Sequence, residues 1–231
     1  MHIQFQTNEL TPAPYAHAIE IQLKEEENEL NVNFEITYLG REELEPDEIF
    51  QEGFTENDDL QWNGKLGKNW LSHFKNFSKN LTLSSKETLE EEEFYWNIAH
   101  EGKTGYPVNE EGALQFTQEL QQAIFEATET EAPLLITVLR IDKQEHQEIN
   151  FEASFKNRTF HKNFGKESSS KKWEELNSFL KDIFSGEFRP DQALQKTPKK
   201  TGLYINLGDG LWYELGKSYL IQPSKVKQYL D

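Results

Sequence analysis

Strict alternation of apolar and polar side chains is the feature that most constrains how this chain can fold. Two alternating stretches lie between residues 19 and 38, on either side of an acidic turn at residues 25–29. Their apolar members are Ile19, Ile21, Leu23, Leu30, Val32, Phe34, Ile36 and Tyr38. Because a strand places successive side chains on opposite faces, this pattern predicts a half-buried pair of antiparallel strands.

Helical periodicity follows this pair. Trp70, Phe74, Phe77 and Leu81 are spaced as one stripe of an amphipathic helix. A second helix is predicted after Asn109, a residue type that favours the N-cap position. Further strand patterns occur at residues 94–98, 134–141, 149–155 and 203–207. The sequence therefore predicts an α+β protein with small, mostly antiparallel sheets and amphipathic helices on one face of each.

The order of these elements recurs along the chain. In both parts a strand pair precedes a helix led by tryptophan, Trp70 in the first and Trp173 in the second. A strand containing Tyr-x-Asn follows each helix, at residues 95–97 and 204–206. We interpret this order as two similar lobes produced by tandem duplication, residues 1–131 and residues 132–231. The alternative is that two amphipathic α+β halves resemble each other by chance.

A displacement of the chain by 117 residues brings the two parts into partial register. It aligns Asn33-Phe34-Glu35 with Asn150-Phe151-Glu152, and gives 4 identities over the 20 residues from 19 to 38. Identity at this level does not establish duplication. If the lobes are related, the groove between them is where a ligand is expected.

The charge of the chain is unevenly distributed. Residues 1–131 contain 8 Lys and Arg against 28 Asp and Glu, whereas residues 132–231 contain 16 against 13. A strongly negative surface repels phosphate backbones and anionic lipids, so we expect neither nucleic acid nor membrane as a partner. The run Glu90, Glu91, Glu92 and Glu93 is the candidate contact for a basic protein. A solvated surface segment is the alternative.

Two tryptophans complete the candidate contact residues. Trp62 and Trp212 lie beside glycines in segments predicted to be loops or turns. Aromatic side chains on loops are effective anchors for binding partners. The alternative is that these rings cover the end of a sheet.

A basic segment stands out in the second part. Between Phe155 and Lys172, six Lys and Arg residues alternate irregularly with three Phe residues. We interpret the segment as a strand with its solvated loop, and Ser168–Ser170 as caps for the helix that follows. The same segment is complementary in charge to the first lobe, so a second copy of the chain is a possible partner through acidic and basic patches.

No catalytic, cofactor or metal motif survives a check of its spacing. The chain has no cysteine, which excludes a thiolate zinc site and a cysteine nucleophile. Gly102-Lys103-Thr104 and Gly216-Lys217-Ser218 lack the glycine that a phosphate-binding loop requires five residues earlier. No two of the 6 histidines have the spacing of a zinc-protease helix. We therefore assign no catalytic residue, cofactor or metal.

The sequence leaves three functional hypotheses. The first is a non-enzymatic protein whose acidic first lobe engages a basic protein partner. The second is an enzyme or small-ligand-binding protein that uses the groove between the lobes, and the third is a structural component of an assembly. No signal peptide is visible at the start, and the longest apolar stretch is far below the ~20 residues of a membrane span. We expect a soluble, cytoplasmic protein.

Overall fold

The computed structural model describes residues 1–86, 88–143 and 145–230. Within them the chain forms five α-helices and two antiparallel sheets of seven and six strands, with a small third sheet. The predicted α+β class is therefore confirmed. The chain divides into two compact units, Met1–Ile124 and Phe125–Asp231. None of the described helices is both long enough and apolar enough to cross a membrane.

The first unit is built on a seven-stranded antiparallel sheet. Its strands are β1 (His2–Gln6), β2 (His17–Glu25), β3 (Leu30–Tyr38), β4 (Leu60–Leu66), β5 (Leu83–Ser84), β6 (Tyr95–His100) and β7 (Lys103–Pro107). They lie in the order β4-β3-β2-β1-β6-β7-β5. Helix α1 (Pro46–Gln51) follows a 3₁₀ turn at Arg41–Glu43. The longer helices are α2 (Lys68–Asn80) and α3 (Glu110–Ala127), and the last three residues of α3 are counted with the second unit.

The interior of this unit follows the predicted periodicities. The alternating residues of β2 and β3 are buried from Ile19 to Ile36, and Trp70 and Phe74 of α2 are buried with them. Helix α3 begins as expected, because the Asn109 side-chain oxygen accepts a hydrogen bond from the Gly112 backbone N–H at 3.0 Å. The Phe116 ring of α3 stacks on the Phe77 ring of α2, and the two ring centroids are 4.1 Å apart.

Four strands of the first sheet, β1, β4, β5 and β7, lie outside the sequence predictions. β1 is central, and its Ile3 and Phe5 are buried between partners on β2 and β6. Only two apolar residues in a polar opening segment mark it, which is too short a pattern to recognise. β4 contains Trp62, which the sequence pattern places in a loop or turn. Gly64 and the polar residues around it hide its alternation.

The second unit contains a six-stranded sheet and a two-stranded one. Its strands are β8 (Leu134–Ile141), β9 (His146–Ser154), β10 (Thr159–Phe164), β11 (Glu167–Lys171), β12 (Glu187–Phe188), β13 (Gly202–Asn206), β14 (Tyr213–Glu214) and β15 (Tyr219–Leu220). The larger sheet has the order β11-β10-β9-β8-β13-β14, and β12 pairs with β15. Helices α4 (Glu174–Phe184) and α5 (Pro223–Lys227) follow in this unit, with a 3₁₀ turn at Pro190–Gln192.

The serines at 168–170 do not cap a helix. They belong to β11, an exposed edge strand paired with β10. Helix α4 begins after Trp173 instead, and the Glu175 carboxylate in its first turn accepts a hydrogen bond from the Lys172 backbone N–H at 3.1 Å. The buried apolar face of α4 consists of Leu176, Phe179 and Ile183. The sequence misassigned this stretch because serine favours caps and tolerates edge strands equally.

The two large sheets share one strand order. In each, a four-stranded meander is followed by a helix, and a later strand, β6 in the first sheet and β13 in the second, pairs with the first strand of the meander. The first sheet has one additional strand, β5, at its far edge. This order matches β1 with β8 and β2 with β9. The displacement by 117 residues instead places β2 on β8, so it is wrong by one strand. The tandem duplication and the boundary at residue 131 stay predictions.

Candidate functional site: the polar face of the first sheet

The face of the first sheet opposite its buried apolar residues is lined with amides and carboxylates. Register and alternation place the following side chains on this face of β1–β4 and β6: Gln4, Glu20, Gln22, Asn33, Glu35, Gln61, Asn63 and Asn97. The six from β2, β3 and β4 are all exposed. The alternation that builds the core thus also builds this surface.

Antiparallel pairing arranges the side chains in rows across the strands. Directly opposed residues lie on the same face with Cβ atoms roughly 4.5–5.5 Å apart. The first row runs through Asn97, Gln4, Glu20, Glu35 and Gln61, and the second through His2, Gln22, Asn33 and Asn63. Each row crosses at least four strands, so the polar groups form a continuous surface.

Amide hydrogen bonds fix the orientation of several of these side chains. The Asn97 amide donates to Gln4 Oε1 at 2.8 Å, and the Asn63 amide donates to Asn33 Oδ1 at 2.8 Å. The Gln61 amide donates to Glu35 Oε1 at 3.1 Å. Such contacts hold the surface in one geometry before a partner arrives, which reduces the entropy lost on binding.

Two carboxylates face each other in the first row. Glu20 and Glu35 are directly opposed on β2 and β3, where like charges destabilise a sheet. Glu20 Oε1 lies 2.9 Å from His2 Nε2. In the described part of the chain, no Lys or Arg side chain lies within ion-pair distance of either carboxylate. The pair therefore offers two acceptors to an external cation.

A shallow trough surrounds this pair. It has a volume of about 280 Å³ and is lined by Glu20, Gln22, Asn33, Phe34, Glu35, Gln61, Trp62 and Asn63. Its polar lining contains only carboxyl and amide groups. The carboxylates attract cations, and the amide oxygens add hydrogen-bond acceptors. The trough thus suits a basic side chain better than an anionic or apolar group.

The lysines on β2 and β4 do not neutralise the trough. Lys24 and Lys65 belong to a third row, beyond Gln22 and Asn63. Lys65 Nζ lies 2.5 Å from Glu26 and 3.4 Å from Glu29. The hydrogen bond with Glu26 raises the pKa of Lys65 and lowers the pKa of Glu26. The Lys65 ammonium group therefore pairs with carboxylates of the β2–β3 turn and not with those of the trough.

An acidic excursion, residues 41–59, extends between β3 and β4 and is organised around one buried arginine. Arg41 is 6% exposed. Its Nη1 donates to Thr55 O at 2.8 Å and to Asp58 Oδ2 at 2.6 Å, and its Nε donates to Pro14 O at 3.2 Å. The remaining acidic side chains of the excursion, from Glu42 to Asp59, are exposed. They add to the negative field of the same unit.

The predicted carboxylate run forms a turn ahead of β6. Glu90, Glu91 and Glu92 are exposed, whereas Glu93 is half-buried and pairs with Lys86 Nζ at 2.6 Å. This hydrogen bond from Lys86 lowers the pKa of Glu93. Glu93 also accepts a hydrogen bond from the Glu90 backbone N–H at 3.0 Å, so its carboxylate stabilises the turn.

Trp62 lies on a strand, contrary to its predicted loop position. It stands opposite Phe34 on β3, and a Cβ atom added to Gly64 would overlap its indole ring. The ring therefore covers the edge of the apolar face. β4 is separated from β6 by three strands, a distance of roughly 19 Å at 4.8 Å per step, so Trp62 and the carboxylate run do not form one site.

Trp212 is partly buried beside a small apolar cluster of the second sheet. The ring packs on Leu139, Ile141 and Tyr204, and the backbone forms a β-bridge with Leu194. Next to it, burial and then a hydrogen bond to Asp209 at 2.8 Å raise the pKa of Tyr213 to about 12. Trp212 is therefore part of a packed apolar cluster. Its role in binding a partner stays a prediction.

The trough itself was not among the predicted sites. The alternation had placed Glu20, Gln22, Asn33 and Glu35 on the water-facing side, but nothing in the sequence marks a solvated face as a site. Gln61 and Asn63 were hidden because β4 was not recognised. A signal was nevertheless present: the outward positions of β2 and β3 carry mainly amides and acids.

Two further sources of functional information are the arrangement of potential metal ligands and similarity to known proteins. Among residues 1–86, 88–143 and 145–230, no group of three or more His, Asp and Glu side chains is arranged to hold a metal ion. Comparisons with protein-family models, with curated proteins and with solved structures found no match. The case for function consequently depends on the chemistry of the surfaces described above.

Proposed function

We propose that this protein is a non-enzymatic binding protein whose acidic first unit engages a basic protein partner. The trough on the polar sheet face is the anchor point of this interaction. The observation that carries the proposal is the pair Glu20 and Glu35, directly opposed, exposed and without a Lys or Arg partner among the described residues. A cationic side chain placed between them relieves their mutual repulsion. Part of the binding free energy therefore comes from removing a repulsion that destabilises the unbound protein.

Arginine is the side chain that fits best. Its guanidinium carries five N–H donors in a planar fork and pairs with carboxylates through two parallel hydrogen bonds. The trough offers carboxylate oxygens from Glu20 and Glu35 and amide oxygens at its rim. A lysine, with a compact ammonium group, satisfies fewer of these acceptors at once. We therefore expect preference for arginine over lysine at this point of contact.

The surrounding carboxylates have a different role. Those of the acidic excursion and Glu90–Glu92 are exposed, and charges at the rim of an interface mainly accelerate encounter. Their contribution is screened once the ionic strength reduces the Debye length to about 8 Å. The field thus attracts a basic partner, and the trough determines its position.

The experiment compares two charge-matched variants. Glu20→Gln with Glu35→Gln removes the trough charges, and Glu90→Gln with Glu91→Gln removes the same charge from the carboxylate run. The probe is a fluorescein-labelled peptide of alternating Gly and Arg, with a Gly-Lys peptide of equal length beside it. Fluorescence anisotropy gives the dissociation constant at low salt and at about 0.15 M salt.

The trough variant is expected to bind the arginine peptide at least about tenfold more weakly at both salt concentrations, a loss of ~1.4 kcal/mol. The carboxylate-run variant is expected to lose affinity at low salt only. Equal losses in the two variants, or no preference for arginine, would show that the trough is not the anchor. Failure of the native protein to bind either peptide would refute the function itself.

The basic segment of a second copy is one partner that the proposal admits. Self-association through it predicts a larger species at low salt that dissociates at high salt. Size-exclusion chromatography of the native protein and of the trough variant separates the cases. If self-association is lost in the trough variant, the partner is another copy; if the native protein elutes as a monomer at both salt concentrations, the partner is a different protein.

A further inference from the structure

A second concave site lies wholly within the second unit, at the β9–β11 end of its larger sheet. The cleft has a volume of about 510 Å³, within the range of roughly 300–1,000 Å³ typical of small-molecule sites. Its lining residues are Gln147, Ile149, Lys162, Phe164, Glu167, Ser168, Ser169, Lys171 and Leu230. Phe164 is 42% exposed, so an aromatic ring of this cleft remains in contact with water.

Polar residues occupy the core-facing side of the sheet at this end. Lys162 is directly opposed to Phe151, and Lys171 is directly opposed to Phe160. Directly opposed residues share a face, so both lysines lie on the face that carries the buried phenylalanines. Ser169, opposite Lys162, lies there as well.

In the first unit, the two strands at the corresponding places in the sheet, β3 and β4, carry apolar residues on the core-facing side. There β3 buries Leu30, Val32, Phe34 and Ile36, and β4 ends on the buried Leu66. In the second unit, the corresponding strands β10 and β11 carry lysine and serine on that face. A polar residue at a core-facing position lowers stability unless it is compensated, and such departures from the apolar pattern are expected at functional sites.

A small apolar slot adjoins the cleft. It has a volume of about 70 Å³ and shares Lys162 and Lys171 with the cleft, while Phe151, Phe160, Phe179 and Tyr229 supply its aromatic lining. The Tyr229 hydroxyl donates to Asp182 at 2.6 Å, and the Gln228 amide donates to the same carboxylate at 2.9 Å. The wall formed by residues 228–229 is therefore fixed to α4.

The charges of the site favour a single negative charge on its ligand. Lys162 and Lys171 lie beside the aromatic floor. The Ser168 hydroxyl adds a donor to the lining, whereas the Ser169 hydroxyl donates to the Lys162 carbonyl oxygen at 3.2 Å. Glu167 pairs with Phe164 at the outer end of the hairpin. Glu175, on the slot, accepts a hydrogen bond from the Lys172 backbone. Two cations opposed by two carboxylates suit a monoanion better than a dianion.

We propose that this cleft binds an aliphatic monocarboxylate, with its carboxylate at Lys162 and Lys171 and its chain over Ile149, Phe164 and Leu230. The end of the chain reaches the aromatic slot. Burial of the apolar chain removes hydrocarbon surface from water, which favours binding, and the lysines fix the orientation of the head group. This ligand site is independent of the trough in the first unit.

The experiment titrates the full-length protein with decanoate, using decanol and decylamine as matched controls of equal chain length. Thermal-shift measurements and calorimetry report binding, because a ligand that binds only the folded state stabilises it by mass action. Lys171→Met keeps the length and apolar character of the side chain while removing its charge. Lys166→Met removes an equal charge from the exposed β10–β11 turn, outside the cleft.

Decanoate is expected to raise the melting temperature in proportion to the logarithm of its concentration, whereas decylamine does not. Lys171→Met is expected to weaken decanoate binding about tenfold or more and to leave decanol binding unchanged. Lys166→Met is expected to bind decanoate as the native protein does. Equal affinity for decanol and decanoate, an unaffected Lys171→Met variant, or no shift with decanoate would each overturn the proposal. Because Lys→Met is compatible with a strand, circular dichroism should show a folded variant.

Discussion

The guanidinium carbon of Arg41 lies 3.7 Å from the centroid of the Tyr38 ring, and its N–H groups reach two loops of the first unit. The ring stacking and the hydrogen bonds to Pro14, Thr55 and Asp58 connect the end of β3 with the two loops beside it. One positive charge thus holds in place a segment that is otherwise strongly acidic. The arrangement explains how residues 41–59 keep a defined backbone despite mutual repulsion among their carboxylates.

Replacement of Arg41 by Met is expected to lower the free energy of unfolding by ~3 kcal/mol. The substitution leaves the Pro14 and Thr55 carbonyl oxygens without this donor and removes the partner of Asp58. Asp58→Asn, which keeps the arginine and its backbone contacts, is expected to cost only ~1 kcal/mol. Urea denaturation of both variants provides the measurement. Equal losses would indicate that the ion pair, and not the backbone contacts, supplies the stabilisation.

Stability is expected to depend on pH through His17. Burial lowers the pKa of His17 despite its hydrogen bond to the Tyr15 carbonyl, and the nearby Arg41 acts in the same direction. Because the folded-state pKa lies below the unfolded value of about 6.5, the unfolded chain binds the proton more readily. The contribution of neutral His17 is therefore present above pH 6.5 and decreases as the pH falls below it.

His17→Gln is the variant that tests this dependence. Urea denaturation between about pH 7.5 and pH 5.5 should give a shallower loss of stability in His17→Gln than in the native protein. His146→Gln, at an exposed position of β9, controls for the removal of any histidine. Identical pH slopes for the native protein and His17→Gln would contradict the expected coupling.

The repulsion between Glu20 and Glu35 in the trough is expected to lower the free energy of unfolding of the native protein. Glu20→Gln and Glu35→Gln should each raise the free energy of unfolding by ~0.5 kcal/mol, because either change removes the repulsion between directly opposed charges. The double variant should gain little more than one single variant, since the repulsion is already absent. Thermal or urea denaturation at low salt measures the cycle. Additive gains would mean that the two carboxylates do not interact.

Gly64 is expected to tolerate no larger residue while Trp62 is present. A Cβ atom at position 64 meets the indole ring of the same strand face, so Gly64→Ala should cost about 1–3 kcal/mol through overpacking. Trp62→Leu removes the obstructing ring, and Gly64→Ala should then be nearly neutral or stabilising. The double-mutant cycle is measured by denaturation. If Gly64→Ala lowered the free energy of unfolding as much in the Trp62→Leu background as in the native protein, the indole ring would not be the cause of the overpacking.

Much of the secondary structure was accessible from sequence because it depends on local periodicity. β2 and β3, with nine residues each, show enough alternation to be recognised, and α2 and α3 show clear apolar stripes. β1 was missed because two buried residues do not define a period. β11 was misassigned because serine suits an edge strand as well as a helix cap. β1 depends on pairing with β6, far along the chain, whereas β11 depends on its hairpin with the neighbouring β10.

The sequence by itself determined which side chains of the long strands face the core and which face water, since that follows from the geometry of an extended backbone. It also determined the acidity of the first unit. Only the tertiary structure decided that Glu20 and Glu35 stand opposite each other, and that Lys162 and Lys171 lie beside buried phenylalanines. Register between strands depends on packing across the whole sheet. No local pattern specifies which residue meets which.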